Sequence, residues 1–245
     1  MRSGNPVLSD NVFFDVQSST DTMTIEGTVF KTGILIILAT ISASYVWSLF
    51  YAEQSVQGWM MGGVFGGLIV AMVTIFKKEW SPFTAPVYAL LEGLFIGGFS
   101  ALVQSQFPNI PIVIQAIALT FGVTLSLLVA YMSGLIKATE NFKLGIVAAT
   151  GGIFIIYFAT FILSFFGINV PYIHEGGLIG IAFSLFVVVI AALNLVLDFD
   201  FIENGSKYGS PKYMEWYGAF GLMVTLVWLY IEILRLLVKI YSSDD

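Results

Sequence analysis

From Gly93 to Ile136 the chain reads GLFIGGFSALVQSQFPNIPIVIQAIALTFGVTLSLLVAYMSGLI, without a single charged side chain. A helix of ~20 residues crosses the roughly 30 Å of hydrocarbon in a bilayer, so this stretch has the length of two crossings. Pro108, Asn109 and Pro111 divide it, and proline interrupts helical hydrogen bonding. The stretch therefore predicts two transmembrane helices joined by a short break.

More apolar runs lie on both sides of this stretch, at residues 32–52, 54–76, 144–173, 176–197 and 217–240. The span before the break begins near Pro86. A β-barrel strand needs only about ten alternating residues, which is far shorter than these runs. Residues 1–25 are polar and lack the apolar core of a signal peptide. We predict an all-α, seven-helix transmembrane bundle over residues 26–241, preceded by a cytoplasmic polar tail over residues 1–25.

The composition supports a multispanning membrane protein. Of 245 residues, 58% are apolar and only 11% are charged, whereas about 25% are charged in an average soluble domain. Acids outnumber Lys and Arg by 16 to 10, which excludes the basic face that a nucleic-acid partner requires. The chain has no Cys and one His, which excludes thiolate catalysis and His-rich zinc sites. The lipid bilayer is the expected environment.

The positions of the cations predict the orientation. With seven spans, the tail and the second, fourth and sixth loops share one side. That side holds Arg2, Lys31, Lys77, Lys78, Lys137, Lys143, Lys207 and Lys212. Only Arg235 and Lys239, in the last span, lie towards the other side. Since cytoplasmic loops carry the excess of Lys and Arg, we expect the N-terminus in the cytoplasm and the C-terminus outside.

Charged groups within a span usually face a bundle interior or a water-filled cavity, and Glu92 is the first candidate of this kind. It lies in the third predicted span, shortly after Pro86. In one interpretation it is an acid of the first helical turns, which reaches the interface and is favoured by the helix dipole. In the other it is a carboxylate that faces a cavity.

Three acids cluster where the sixth span is predicted to end: Asp198, Asp200 and Glu203. We interpret the following Asn204 and Gly205 as helix terminators. Acids at a helix C-terminus oppose its dipole, so the cluster needs a proton, a cation or a lysine. Lys207 and Lys212 could balance a solvated edge, and this is one interpretation. Asp198 is the stronger functional candidate, because it directly follows the apolar run.

Glu232 is the most informative acid, because it lies in the apolar segment LYIEILR of the last span. It could pair with Arg235, three residues on, or turn into the bundle and meet the acids of the sixth span. Two carboxylates in one low-dielectric site share a proton near neutral pH. Loss of that proton brings repulsion or recruits a hard cation such as Ca²⁺. Asp198 and Glu232 are therefore a candidate pH sensor and candidate weak calcium ligands.

Glycines repeat at intervals of four residues in the second and third spans, as Gly62 and Gly66, Gly63 and Gly67, and Gly93 and Gly97. This spacing lets helix backbones approach closely in lipid. It predicts tight helix packing, and a moving contact or pore wall is the alternative.

The acidic segments resemble those of a known family. NLVLDFDFI at 194–202 and LYIE at 229–232 are similar to the sixth and seventh helices of the Bax inhibitor-1 family, the transmembrane Bax-inhibitor-motif proteins. NPVLSD at 5–10 and LEGLFIG at 91–97 are similar to a bacterial branch. The resemblance covers essentially the whole chain. It implies a seven-helix bundle with a central last helix, a bacterial inner membrane, and a pH-sensitive Ca²⁺ leak.

The resemblance also implies roles for individual residues. Asp198 and Glu232 match by position the two aspartates, on the sixth and seventh helices, that serve as the pH sensor of the family. This chain departs from the pattern in having Glu at the second position. It also has no Lys or Arg at 54–76, where the family has a basic latch, and its connection between the two acids is longer.

We therefore expect a calcium-permeable leak channel gated by protonation of buried carboxylates, with Ca²⁺ as a permeant ion and no cofactor. One alternative is a non-transporting membrane protein whose partners are membrane proteins, such as a protease or an assembly factor that it modulates. A proton-coupled carrier is another. An enzyme is not expected, because an intramembrane serine protease would pair Ser with a membrane His or Lys, and His174 lies in a predicted outer loop.

Overall fold

A computed structural model describes residues 21–167 and 177–243. The described chain forms α1 (Ile25–Tyr51), α2 (Gln57–Phe76), α3 (Ser81–Gln106), α4 (Ile112–Met132), α5 (Glu140–Phe165), α6 (Leu178–Lys207) and α7 (Met214–Ser243). All seven are long and apolar enough to cross a membrane, which confirms the prediction of an all-α, seven-span protein. The first twenty residues of the predicted tail, the segment at 5–10 and His174 lie outside the described residues.

The side chain of Gln104 forms hydrogen bonds with the backbone of the break between α3 and α4. The amide nitrogen of Gln104 donates to the carbonyl oxygens of Phe107 (2.9 Å) and Ile110 (2.8 Å). Its amide oxygen accepts the N–H of Val113 at 3.4 Å. The last carbonyl groups and first N–H groups of a helix have no intrahelical partner, so side chains or water must satisfy them. Gln104 therefore allows the chain to turn where the prolines interrupt the uncharged run.

α6 is longer than the sequence predicts. It continues ten residues past Leu197, so Asn204 and Gly205 lie inside the helix, and their interpretation as terminators is wrong. Contacts one helical turn apart support the extra turns. Asn204 donates to Asp200 at 3.0 Å, and Lys207 contacts Glu203 at 2.5 Å. The helix ends just before Gly209, whose φ of +67° is the left-handed conformation that glycine adopts easily.

α3 begins earlier than predicted, at Ser81 instead of near Pro86. Pro82 stands in the first turn, where backbone N–H groups have no intrahelical acceptor. The Ser81 hydroxyl donates to the Tyr213 carbonyl at 3.0 Å, which fixes this end of the helix. Glu92 consequently lies about three turns into α3 and is not an acid of its first turn.

The helices belong to two compact units. Within the described residues, the α4–α5 unit contains 114–167, 177–199 and 225–243, and the α1–α3 unit contains 21–113 and 200–224. The apolar core of the α4–α5 unit is formed by Ile146, Ile153, Val187, Ile190 and Leu197. α6 and α7 are the most buried helices, with 56% and 61% of their most apolar stretch buried against 17% in α2 and α5.

Glycines allow the helices of the α1–α3 unit to pack closely. In this unit α3 packs on both α1 and α2. A methyl group at Gly93 would collide with the Ala39 carbonyl oxygen on α1, and one at Gly97 with the Ala43 backbone. A methyl group at Gly63 would lie 2.6 Å from the Leu91 carbonyl oxygen on α3. These contacts favour the packing interpretation of the glycine spacing.

Gly97→Ala should therefore separate α1 from α3 and destabilise the protein by about 1–3 kcal/mol, the usual cost of overpacking. Thermal unfolding of the purified protein in detergent measures the change. Gly122→Ala on α4 is the control, because a methyl group there meets no atom within 4 Å. Since alanine is the better helix former, the control should be neutral or slightly stabilised. Equal loss in both variants would contradict the prediction.

Candidate functional site: the embedded acids

Glu232 is buried on α7, with 2% of its surface exposed. The Tyr157 hydroxyl on α5 donates to one of its carboxylate oxygens at 3.1 Å. Arg235 forms an ion pair with the other oxygen at 3.2 Å, and the Trp228 indole N–H also donates to the carboxylate. Both interpretations of this residue thus describe part of the site, because Glu232 pairs with Arg235 and also faces other helices.

The cations of α7 extend this site along the helix. The Arg235 guanidinium lies over the Tyr157 ring, 5.1 Å from its centroid, in a cation–π contact. Lys239 is 5% exposed, and its ammonium donates to the Ser184 hydroxyl at 2.8 Å and to the Gly180 carbonyl at 3.2 Å. Neither contact is among those that the sequence predicts. The spacing of Glu232, Arg235 and Lys239, which places them on one helix face, was the only available signal.

Asp198 is fully buried on α6 and belongs to the same unit as Glu232. Asn194 lies one turn earlier on the same helix face. Its amide donates to the Thr150 hydroxyl on α5 at 2.9 Å and to the Ile190 carbonyl at 2.8 Å. In the described part of the chain, the buried amide oxygen of Asn194 has no hydrogen-bond partner. Asp198 and Asn194 are thus two buried polar residues on one face of α6, and the sequence predicts only the acid as a candidate.

The register between α6 and α7 separates the two acids along the helix axes. A six-residue connection makes these helices antiparallel neighbours. Because Lys239 contacts Gly180 and Ser184, Glu232 is level with residues 187–191 of α6. Asp198 lies at least seven residues further along α6, which corresponds to about 10 Å or more. The pairing of Asp198 with Glu232 stays a prediction, and Glu232 has the other partners described above.

The remaining acids of α6 have partners one turn away. Asp200 accepts the Asn204 amide, and Glu203, 35% exposed, binds Lys207. These contacts favour the interpretation of Asp200 and Glu203 as a balanced edge. Lys212 contacts Asp21 and Glu215.

Glu92 is half-buried on α3 and faces α2. The Tyr88 hydroxyl, one turn earlier on α3, donates to its carboxylate. A methyl group added at Gly67 of α2 would lie 3.3 Å from a carboxylate oxygen of Glu92. The Tyr88 ring packs edge-on against Phe220, 4.9 Å between centroids. The carboxylate therefore lies between two helices, at a point where α2 presents a glycine.

Glu215, a fully buried acid in the first turn of α7, is not among the candidates predicted from the sequence. It accepts the backbone N–H of Thr24 at 2.8 Å and the Thr24 hydroxyl at 2.9 Å. It also forms ion pairs with Lys31 and, at 3.1 Å, with Lys212. The hydrogen bond to Glu215 raises the pKa of Lys212. Only the spacing of Lys212 and Glu215 was visible in the sequence, whereas Thr24 and Lys31 are distant along the chain.

The two segments that meet at Glu215 also pair through their backbones. Thr22 and Pro211 form an antiparallel β-bridge. Beside it, the Met23 N–H donates to the Ser210 carbonyl at 2.7 Å. These bonds place the residues just before α1 on the α6–α7 connection.

The described ranges contain no group of three or more His, Cys, Asp or Glu side chains placed to hold a metal ion. The assignment of Asp198 and Glu232 as weak calcium ligands stays a prediction.

Comparison with known proteins identifies the family. A family model described as Bax inhibitor 1 like matches residues 5–242. No curated protein and no solved structure matches the chain. The family match spans α1 to α7 and includes Glu92, Asp198, Glu215 and Glu232. The chain therefore belongs to the Bax inhibitor 1 like family, which the resemblance of its acidic segments predicted.

Proposed function

We propose that this protein is a pH-sensitive, calcium-permeable leak channel of the Bax inhibitor-1 type, gated by protonation of buried carboxylates. The observation that supports the proposal most is the burial of two acids in the α4–α5 unit, Asp198 (0% exposed) and Glu232 (2% exposed). An acid at the centre of a span costs roughly 2.5–3.5 kcal/mol on insertion scales, so such groups are usually functional.

The contacts of Glu232 supply a gating mechanism. As a carboxylate it accepts hydrogen bonds from Tyr157 and Trp228 and attracts Arg235. Protonation removes its charge and weakens its hold on Arg235 and Tyr157. The contact between α5 and α7 then has two states, which is the element that a pH switch requires. On α6, the oxygens of Asp198 and Asn194 are the hard donors that a partly dehydrated Ca²⁺ prefers.

The proposal includes the location and orientation expected from the sequence. The protein lies in a bacterial inner membrane with its N-terminus in the cytoplasm, and it uses Ca²⁺ as a permeant ion without a cofactor. The cations near the predicted cytoplasmic side support this orientation. A reporter joined after Asp245 should then be active outside the cytoplasm, and cytoplasmic activity would contradict the proposed orientation.

Calcium flux into liposomes tests the function. Purified protein should admit Ca²⁺ to a dye trapped inside the vesicles, and the rate should depend on pH. Vesicles without protein are the first control, and vesicles with the denatured protein are the second. If correctly folded protein passes no more Ca²⁺ than empty vesicles at any pH, the leak is refuted. That result would favour the non-transporting interaction protein.

A further inference from the structure

Glu92, Glu215 and Glu232 are the embedded glutamates, and they differ in whether a cation forms an ion pair with them. Glu232 has Arg235, and Glu215 has Lys31 and Lys212. Glu92 has no ion pair within the described ranges, and its polar partner there is the uncharged Tyr88. Glu92 is therefore the embedded glutamate whose charge has no evident compensation.

The helices packed against α3 do not supply that compensation. α2 contains no ionisable residue. On α1 the charged residues are Glu26 and Lys31, both near its start, and Lys31 is bound to Glu215. The ionisable tyrosines of α1 are Tyr45 and Tyr51.

The α6–α7 connection reaches α3 at its first residue, where the Tyr213 carbonyl accepts from Ser81, eleven residues before Glu92. Two further elements approach α3 in this unit. The short turn before it carries Lys78 and Glu79, about three helical turns or more from Glu92. The first part of α7 carries Glu215 and Tyr217, and it meets Tyr88 through the Phe220 ring. None of these elements contributes a cation to the Glu92 carboxylate.

An ionised carboxylate without a cation is costly in a membrane, and such a group becomes neutral by taking up a proton. The protonated, uncharged form of the Glu92 carboxyl group is compatible with this position. It can still accept the Tyr88 hydroxyl hydrogen bond while it keeps its own proton. Gly67 gives the carboxyl group room against α2, because a methyl group there would lie 3.3 Å from its oxygen.

We propose that Glu92 is a proton-binding site that is occupied at neutral pH, in addition to the acids Asp198 and Glu232 of the proposed function. The ligand is the proton itself, and the site consists of the Glu92 carboxyl and the Tyr88 hydroxyl, beside the space that Gly67 leaves on α2. The inference does not rest on calcium transport, because it follows from the partners of Glu92 alone.

Dicyclohexylcarbodiimide tests the proposal directly. This lipophilic reagent adds to the protonated form of carboxyl groups in membranes, and mass spectrometry locates the product. The chain has no cysteine thiol that could compete for it. At neutral pH, Glu92 should be labelled several-fold more than Glu232, which is the matched control because it is embedded but paired with Arg235. Glu92→Gln should remove this label and leave the labelling of other acids unchanged.

The pH dependence of labelling gives a second result. Tyr88→Phe keeps the ring but removes the hydroxyl that stabilises the ionised carboxylate. Labelling of Glu92 should therefore persist to more alkaline pH in this variant. Labelling that appears only at acidic pH in the unaltered protein would overturn the proposal. If Glu92 is not labelled at any pH, the infrared carbonyl band of protonated carboxyl groups decides, and an identical band in Glu92→Gln would overturn it too.

Discussion

Replacing Glu215 with alanine should lower the free energy of unfolding by about 1.5–3 kcal/mol, the usual contribution of hydrogen bonds to a charged group. The substitution leaves the Lys31 ammonium, and the N–H and hydroxyl of Thr24, without their acceptor in a site where Glu215 is fully buried. It also removes an acid from the first turn of α7, where the helix dipole favours a negative charge.

Denaturant unfolding in detergent, followed by tryptophan fluorescence, measures this loss. Lys31 lies over the Trp216 ring at 5.6 Å, so the signal includes a reporter beside the site. Glu203→Ala is the matched control, because its pair with Lys207 is exposed and should contribute little to stability. Glu215→Gln should fall between the two, since an amide oxygen still accepts from Thr24. If Glu215→Ala and Glu203→Ala are equally mild, Glu215 does not stabilise the fold as described.

The helices could be predicted from the sequence because lipid imposes a simple requirement. A span needs about 20 apolar residues, and runs of that length are visible without a structure. The ends of helices depend on local contacts that composition does not reveal. α6 continues past Leu197 because Asn204 and Lys207 pair with acids one turn back. The sequence DFDFIENG predicts instead that the helix ends here, because its three acids are followed by Asn and Gly.

The contacts of the site could be predicted only where the two residues are close to each other in the sequence. The spacing of three residues indicated the Glu232–Arg235 pair, and the adjacent apolar run indicated that Asp198 is buried. Tyr157 and Ser184 contact α7 across many residues, and no periodicity of α5 or α6 singles them out. Glu215 was missed for the same reason, since Thr24 and Lys31 reach it from the other end of the chain.

Asp198→Asn and Glu232→Gln should each flatten the pH dependence of calcium flux, and in the double variant their effects on the logarithm of the flux should add. This expectation rests on the proposed leak. It treats the two acids as separate sites, whereas the sequence predicts a coupled pair. Along the axes of α6 and α7 the acids are about 10 Å or more apart. Asn194, one turn from Asp198 on α6, binds Thr150, whereas Glu232 is held by Tyr157, Trp228 and Arg235.

A double-mutant cycle distinguishes the two arrangements. Substitutions more than roughly 7–10 Å apart, with no shared partners, usually add within about 0.3–0.5 kcal/mol, whereas groups in contact do not. Tyr157→Phe is the internal control, because it removes a hydrogen bond to Glu232 and should therefore be non-additive with Glu232→Gln. It should remain additive with Asp198→Asn. If the double variant Asp198→Asn, Glu232→Gln has no more effect than either single variant, the two carboxylates act as one sensor. The separation inferred from the register of α6 and α7 would then be wrong for the conducting state.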